Sequence, residues 1–431
     1  METGELFTLT RKCRVCGNEH LAPIVNLGEH ALTGRFPAKK DPDPPHGLLQ
    51  LVRCDTEAKP DACGLVQLQH QFNQWEMFGS SYGYRSSVTT TMVQHLRGKV
   101  ENLLSLVSLQ AGDTVLDIGC NDGTLLDCYR HIHGVNAVGI DPSSGQFAAV
   151  FPPHAQLLVD FFSAKRVREL IGDKKIKIIT SIAMFYDVDN PLGFMQDIRS
   201  LLADDGVWEM EQSYLPDVVE NMTYDTICHE HATYYRLEQI AWLAERADLT
   251  IIDAEMNNVN GGSFRVVLAP KNTPYRVNRN GIQALKRRER DYTDPATYAK
   301  FAADVADHRR IVRSFFERNA KKKIFGLGAS TKGNVLLQYC GITKKQMPYI
   351  LERYPQKFGL TTPGTRIPII SEVKGRALQP DYLFVLPWHF RDEIFAREQE
   401  FLDKGGLLVF PLPRFEVVGK GGQVVQRLEM L

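Results

Sequence analysis

The chain has 431 residues, more than one hydrophobic core usually organises, so two or three domains are expected. Apolar residues make up 43% and charged residues 24%, a composition typical of globular proteins. Lysine plus arginine and aspartate plus glutamate both number 51, and this zero net charge argues against nucleic acid or a membrane surface as a partner. The first residues, METGELFTLTRKC, lack the apolar segment of a secretory signal, and no apolar run is long enough to span a bilayer. We therefore expect a cytoplasmic location, and no oligomeric state is predicted.

Four of the eight cysteines fall in the first 63 residues. Cys13 and Cys16 form a C-x₂-C pair in CRVC, and Cys54 and Cys63 form a wider second pair. Four thiolates suit tetrahedral Zn²⁺, and a short segment with turn-rich sequence between its cysteine pairs needs such a staple. Unpaired buried thiols, or a redox pair at CRVC, are the alternatives. We predict a structural zinc module over residues 1–72.

The pattern TVLDIGCNDGTLL at 114–126 combines a short apolar strand, a glycine-bearing turn and the start of a helix. A second strand at 136–141 ends on an acidic residue suited to a ribose diol, and a third at 156–162 supplies a polar–aromatic pair for an adenine. The turn lacks the G-x-G-x-x-G spacing of dinucleotide sites, and its form resembles class I S-adenosylmethionine (SAM) methyltransferases. A fold for another nucleotide is the alternative. The expected cofactor residues of this domain, at 73–272, are Asp117, Gly119, Asn121, Gly123, Asp141, Asp160 and Phe161.

Upstream of this turn lies a polar–aromatic stretch, residues 77–96, that leads into a helix. Its Tyr82 and Tyr84 are either caps of a SAM site, because an aromatic face attracts a sulfonium cation, or surface tyrosines of a loop.

The stretch YDTICHEHATYY at 224–235 contains two histidines that flank Glu230. A metal site is disfavoured because the zinc helix motif is H-E-x-x-H, which this is not. The remaining interpretations are an acid–base pair or a buried His–Glu pair that joins a loop to a sheet.

The C-terminal third predicts a second α/β domain, at 273–431. Residues 276–318 have helical spacing, and KKKIFGLGASTKGNVLLQYCG at 321–341 repeats the strand–turn–helix pattern. The third fingerprint glycine is missing, so a second nucleotide cofactor is not expected. Lys332 with the preceding backbone amides would suit phosphate oxygens. Trp388 either lines the cleft in which such a phosphate would bind or belongs to the hydrophobic core.

The order of these motifs resembles the sugar C-methyltransferases that act on nucleotide-linked 4-keto-deoxyhexoses. The resemblance covers nearly the whole chain, and its carriers are CRVC with Cys54 and Cys63, LDIGCNDG, MEQSYL, YDTICHEHATYY, NGGSFRV, GLGASTKGN and TPGTRIPI. It implies an α/β fold with an N-terminal zinc module, a Rossmann-like SAM domain and a C-terminal domain that helps to hold a nucleotide-sugar. Some members have a tyrosine where this chain has Cys228, and a histidine near the segment that here reads Phe185-Tyr186.

The resemblance also implies the roles of site residues. His231 is the expected base and Glu230 its partner, with His229 and Tyr186 as further catalytic candidates. The expected substrate contacts are Tyr234, Tyr235, Lys332, Asn334, Trp388 and His389. In a 4-ketosugar the carbonyl acidifies the C3 proton, and a base near neutral pH would generate an enolate that attacks the SAM methyl group. The oxyanion donor is open between Tyr186, Tyr234, Tyr235 and His229. Methylation at C5, another keto-sugar such as a heptose, or a SAM-fold module without activity are the alternatives.

Overall fold

A computed structural model of the chain describes residues 6–79 and 82–428. The N-terminal part contains an antiparallel hairpin, residues 21–54, in which alternate side chains such as Leu49 and Leu51 are buried. A separate two-stranded sheet, β1 with β5, lies beside it. The elements of this part are β1 (Phe7–Leu9), β2 (Leu21–Ala31), β3 (His46–Cys54), β4 (Val66–Leu68), β5 (His70–Phe72) and α1 (Gln74–Phe78).

The central part is a seven-stranded sheet covered by helices. Its first strand, TVLDI, is buried at every position, as expected for a parallel strand with both faces covered. The first helix turns Met92, Leu96, Val100 and Leu103 towards the sheet at helical spacing. The elements are α2 (Thr90–Leu106), β6 (Thr114–Ile118), β7 (Asn136–Ile140), β8 (Ala155–Leu158), α3 (Ala164–Ile171), β9 (Ile176–Ile182), α4 (Pro191–Leu201), β10 (Leu202–Ser213), α5 (Leu215–Glu220), β11 (Thr233–Tyr234), α6 (Leu237–Arg246), β12 (Leu249–Asn257), β13 (Ser263–Pro270) and α7 (Arg279–Arg288).

The strand order of this sheet is β12-β13-β10-β9-β6-β7-β8, and only β13 runs antiparallel to its neighbours. The chain moves outward from β6 to β7 and β8, then returns to place β9 on the other side of β6. Such a reversal opens a crevice at the carboxyl ends of the strands. The sheet therefore has the α/β organisation that the sequence predicts.

One strand of the central part belongs to a different sheet. β11 pairs antiparallel with β4, so the N-terminal sheet has the order β11-β4-β3-β2. Residues 233–234 thus complete a sheet whose other strands lie within residues 21–68.

The C-terminal part is a second seven-stranded sheet with the order β16-β15-β14-β17-β18-β19-β20, parallel from β16 to β18. It confirms the predicted second α/β domain. Its elements are α8 (Pro295–Arg318), β14 (Ile324–Leu327), α9 (Thr331–Cys340), β15 (Ile350–Glu352), β16 (Ile369–Ser371), α10 (Glu372–Ala377), β17 (Tyr382–Val385), α11 (Arg391–Arg397), α12 (Gln399–Asp403), β18 (Leu407–Phe410), β19 (Phe415–Val418) and β20 (Val424–Leu428). Among the described residues, no helix is both long enough and apolar enough to cross a membrane.

The four N-terminal cysteines converge on one point. The Sγ atoms of Cys13 and Cys63 are 3.4 Å apart, those of Cys16 and Cys54 are 3.5 Å apart, and all four lie within 4.8 Å of one another. Sulfur atoms at the corners of a zinc tetrahedron are about 3.8 Å apart, given Zn–S bonds of about 2.3 Å. The cluster therefore fits Zn²⁺ with every coordination position filled by sulfur, which is the arrangement of a structural site.

We predict that Cys54→Ser lowers the zinc content from about one ion per chain to well below one. The melting temperature should fall as well, because structural zinc contributes on the order of 10 kcal/mol to small zinc-dependent folds. Metal analysis of the purified variant and a thermal scan measure the two effects. Cys128→Ser is the matched control, because Cys128 is half-buried outside the cluster. Full zinc content in Cys54→Ser would contradict the assignment.

Candidate active site

A cavity of about 490 Å³ opens at the carboxyl ends of β6, β9 and β10 and continues to the first turn of α9. Its walls come from the central and C-terminal parts, together with residues 74 and 78 of α1. Of the predicted site residues, those that line it are Tyr82, Asp117, Gly119, Asn121, Asp141, Phe161, Tyr186, Glu230, His231, Lys332 and His389.

The glycine turn after β6 forms one side of this cavity. Gly119 has φ 74°, a conformation that suits glycine, and a Cβ there would lie 3.0 Å from Met184 Cγ. The Asp141 carboxylate accepts hydrogen bonds from Asn121 N at 2.9 Å and from Ser143 N at 2.6 Å. The turn, the acidic strand end and the cavity beside them fit the nucleoside part of a ligand such as SAM.

Asp117 lies at the base of the same side. Its Oδ1 accepts a hydrogen bond from Thr180 Oγ1 at 2.6 Å, and burial raises the pKa of Asp117 to about 7. Because the carboxyl is 4% exposed, it supports the end of β6 and presents little surface to a ligand.

Residues 84–87 form a strap over the glycine turn. Asn121 Nδ2 donates to the carbonyl of Tyr84 at 3.1 Å, and Asn121 Oδ1 accepts from Ser86 N at 3.0 Å. Asp122 Oδ2 accepts from Ser87 N at 3.2 Å and from Arg85 Nε at 3.1 Å. The Asn121 side chain is therefore committed to holding the strap.

Two predicted cofactor residues do not line the cavity. Gly123 has φ 78°, and a Cβ there would meet Pro152 at 2.4 Å, so this glycine serves the packing of the turn. The Asp160 carboxylate is bound by Arg166 Nε at 2.7 Å and by Phe161 N at 2.8 Å. Phe161 itself lines the cavity, as predicted.

The His231 ring also lines this cavity. Its Nδ1 is 2.7 Å from the carbonyl oxygen of Thr226, which can only accept, so Nδ1 carries the proton and donates. The neutral ring then has its lone pair on Nε2. The Tyr186 ring packs against it with centroids 4.2 Å apart. Burial, and next the Lys332 ammonium, lower the pKa of His231 below its ordinary value of 6.5, so the base form is favoured.

Glu230 lies in the cavity wall next to His231, and it is 7% exposed. Its Oε2 accepts from Thr33 Oγ1 at 3.3 Å, and Gly34 approaches so closely that a Cβ there would lie 2.5 Å from Oε1. Burial raises the pKa of Glu230. The expectation that Glu230 orients the His231 ring needs correction, because Nδ1 is occupied by Thr226.

The neighbouring predicted residues do not line the cavity. His229 Nε2 donates to the carbonyl of Gly47 at 3.3 Å, and its ring packs edge-on against Phe72 with centroids 4.8 Å apart. Tyr234 donates its hydroxyl to the Thr226 carbonyl at 3.1 Å, and Tyr235 stacks on Phe185 with centroids 5.3 Å apart. All three side chains are buried in the protein interior.

Two predicted substrate residues of the C-terminal part also form hydrogen bonds within the protein. Asn334 Nδ2 donates to the carbonyl of Thr33 at 2.8 Å, and Trp388 Nε1 donates to Asp225 Oδ2 at 2.7 Å. Both side chains are buried and neither lines the cavity. Lys332 and His389 do line it.

Three residues that the sequence analysis did not select also shape the site. Thr226 holds the base, and Asp187 and Gln212 line the cavity with buried side-chain atoms that have no hydrogen-bonding partner among residues 6–79 and 82–428. Gln212 belongs to MEQSYL and Asp187 follows Tyr186, so both lie in stretches that had already been noticed. The available signal was the position of Gln212 at the carboxyl end of β10 and of Asp187 in the turn after β9.

Family models match three successive segments of the chain. Residues 13–78 match a zinc binding domain, residues 92–254 match a methyltransferase domain, and residues 258–413 match a C-methyltransferase C-terminal domain. The C-methyltransferase NovU of Streptomyces niveus is 29% identical over 415 residues, which cover 94% of this chain and 96% of the relative.

Solved structures resemble a smaller portion. The plantazolicin methyltransferase BpumL, in complex with a pentazolic desmethylPZN analog and SAH, is 14% identical with a TM-score of 0.35, and the match covers 43% of this chain and 86% of that one. The cyclopropane synthase MmaA2 from Mycobacterium tuberculosis is 16% identical with a TM-score of 0.34, over 46% of this chain and 91% of that one.

The family matches agree with the cysteine cluster and with the glycine turn beside the cavity. The methyltransferase match agrees with SAM as the methyl donor, and the zinc-binding match covers the four clustered cysteines. Over nearly its whole length the chain is therefore similar to C-methyltransferases that join a zinc-binding domain, a methyltransferase domain and a C-methyltransferase C-terminal domain.

Proposed function

We propose that this enzyme methylates C3 of a nucleoside-diphosphate 4-keto-6-deoxyhexose. The observation that carries the proposal is the His231 ring, which lines the cavity while its Nδ1–H is held by the Thr226 carbonyl at 2.7 Å. A neutral imidazole with Nε2 as its basic atom suits removal of a carbon-bound proton next to a ketone. SAM supplies an electrophilic methyl group for the resulting carbon nucleophile.

In the proposed reaction, Nε2 of His231 takes the C3 proton, and the C–H electron pair becomes part of an enolate. The carbon then forms a bond to the methyl group as the methyl–sulfur bond breaks. The Thr226 carbonyl stabilises the imidazolium by accepting its Nδ1–H, a role that a carboxylate plays in other acid–base pairs. Most of the remaining effect comes from alignment of the two reactants in a cavity shielded from water.

The C-terminal wall supports a nucleotide-linked substrate. Residues 327–332, the turn after β14 and the start of α9, line the cavity. Glu352, at the end of β15, accepts from Ala329 N at 2.7 Å and so braces this turn. Lys357 donates to the carbonyl of Ala329 at 2.8 Å and lies over the Phe36 ring. The extent of this wall gives room for more than a monosaccharide.

The substrate and the methylated carbon can be tested together. The enzyme is incubated with methyl-¹³C SAM and a panel of TDP-, GDP- and CDP-linked 4-ketosugars, including a heptose, and the product is analysed by NMR. Label at C3 of one 6-deoxyhexose is expected. Label at C5, which the same carbonyl also acidifies, would overturn the position, and no transfer to any of them would favour a binding module without activity.

We predict that His231→Asn lowers kcat by about 10²–10⁴-fold, the range typical for loss of a general base. Exchange of the acidified proton with solvent should fall in parallel, and the Kd for SAM should stay within about twofold because His231 bonds to Thr226 and is not part of the glycine turn. Turnover, deuterium exchange followed by NMR, and calorimetric SAM binding provide the measurements.

His229→Gln is the matched comparison two residues away. Because His229 donates to Gly47 and does not line the cavity, this change should lower the melting temperature while proton exchange by the folded protein persists. Loss of exchange in His229→Gln, with full exchange in His231→Asn, would reverse the assignment of the base.

A further prediction concerns the strap over the glycine turn. Asp122→Ala removes the acceptor of Ser87 N and Arg85 Nε. We expect the loss of these bonds to weaken SAM binding by about 1.4 kcal/mol, which is a tenfold higher Kd. Asp127→Ala is the control, because Asp127 pairs with Arg130 three residues later on the surface. Equal SAM affinity in the two variants, measured by calorimetry, would show that the strap does not contribute to cofactor binding.

A further inference from the structure

The cavity wall next to His231 contains an ammonium group, that of Lys332. The residue lies in the first turn of α9, which Ser330 caps by accepting a hydrogen bond from Gly333 N at 3.0 Å. This helix packs against the turn at Tyr224–Thr226, whose last carbonyl holds the His231 ring. The two side chains therefore belong to adjoining elements and face one cavity.

The surroundings of Lys332 make this part of the cavity positive. The amino end of α9 carries the positive end of the helix dipole. The ammonium lowers the pKa of His231 and of His389, after burial, so both rings are held neutral. The Asp225 carboxylate is a negative group near Lys332; it is 1% exposed, and its Oδ2 accepts from Trp388 Nε1. Negative charge on a ligand oxygen is favoured at the amino end of α9.

A nucleotide-sugar offers two kinds of anionic oxygen, those of its diphosphate and the enolate oxygen formed during the reaction. The proximity of Lys332 to the base favours the second. The carbonyl oxygen is attached to the carbon next to the one that loses its proton, so it must lie within a few ångströms of His231. Lys357, Arg353 and Arg85 add further cations to the cavity lining. Within the protein Lys357 donates to the Ala329 carbonyl, Arg353 pairs with Glu393 and Arg85 pairs with Asp122.

We propose that Lys332 is a catalytic residue that binds the ketone oxygen and stabilises the enolate formed when His231 removes the neighbouring proton. This inference rests on the proposed function and replaces the phosphate-binding role expected from the sequence. The C–H bond breaks, its proton moves to Nε2 of His231, and negative charge develops on the oxygen beside the ammonium. The enolate electron pair then forms the carbon–methyl bond while the methyl–sulfur bond breaks, so the ketone is restored and the enolate and sulfonium charges cancel; Lys332 keeps its protons throughout.

The first test measures proton exchange apart from methyl transfer. The accepted ketosugar is incubated in D₂O with SAH in place of SAM, and loss of the acidified proton is followed by NMR for the wild type, Lys332→Met, Lys332→Gln and Lys332→Arg. Loss of one oxyanion donor typically costs about 10²–10³-fold, so Met and Gln should slow exchange by that factor. Arginine keeps the cation and should restore exchange to within about tenfold of wild type. Melting temperatures identify any variant that does not fold, and Met and Gln provide two independent truncations.

The second test separates an enolate partner from a phosphate ligand. Calorimetry with the nucleoside diphosphate of the accepted sugar should give Kd values for Lys332→Met within about threefold of wild type. Exchange at the wild-type rate, combined with nucleoside diphosphate binding weakened by more than tenfold, would overturn the inference in favour of a phosphate ligand.

The pH dependence of kcat/KM distinguishes a catalytic role of Lys332 from a purely structural one. The titratable groups around Lys332 and His231 are Tyr186, whose ring packs against His231, Cys228 and Glu230 of the same segment, His389 of the turn after β17, and Asp225. Removal of the Lys332 charge should raise the pKa of His231 towards its ordinary value, so the acid limb of kcat/KM should move to higher pH in Lys332→Met. An unmoved limb would count against the inference. If the wild type neither exchanges nor methylates any ketosugar, the proposed function itself fails and this inference falls with it.

Discussion

The antiparallel pairing of β11 with β4 joins the segment that contains His231 to the zinc-binding sheet. Thr233 also donates its hydroxyl to the carbonyl of Tyr186 at 2.9 Å, which connects the same strand to the turn after β9. Tyr234 donates to the Thr226 carbonyl, the group that accepts the proton of the His231 ring. A strand of two residues therefore sets the relative positions of zinc module, methyltransferase sheet and base. The zinc ion, far from any reacting atom, stabilises the sheet on which this arrangement rests.

Buried polar groups near the cavity differ in whether they have partners within the protein. Lys99 of α2 lies 2.9 Å from Glu209 and 2.6 Å from Glu211, which lines the cavity. Arg265 also pairs with Glu209 at 2.7 Å, so both buried carboxylates of β10 have cationic partners. In the cavity wall, Asp187 and Gln212 retain buried polar atoms without partners among the described residues. Compensated charges stabilise a structure, whereas uncompensated polar groups cost stability and are commonly retained where a ligand will satisfy them.

The sequence predicted those features that depend on local pattern. The strand and glycine turn within 114–126, the cysteine pairs and the two α/β sheets follow from spacing and periodicity, and the structure has them. The prediction that a helix begins at 124–126 is wrong, because the chain forms only a short 3-10 turn at Leu126–Tyr129. Features that depend on contacts between distant segments were not predictable in this way. The residues between the cysteine pairs read as turn-rich, yet they form the β2–β3 hairpin, because their apolar side chains are buried against other parts of the chain. The support of Glu230 by Thr33 is of the same kind, since nothing in either stretch indicates the other.

The pairing of β11 with β4 also bears on how the protein is made. Thr233 pairs with Gln67 and Tyr234 with Val66, so the N-terminal sheet is completed only after most of the methyltransferase domain has been synthesised. Until then β4 presents an unpaired edge, the kind of surface on which nascent chains associate with one another. Early zinc binding would hold β3 and the turn before β4 in place during this interval, because Cys54 and Cys63 lie on either side of that connection. The metal thus has a second consequence, protection of a growing chain from misassembly while its last strand is still absent.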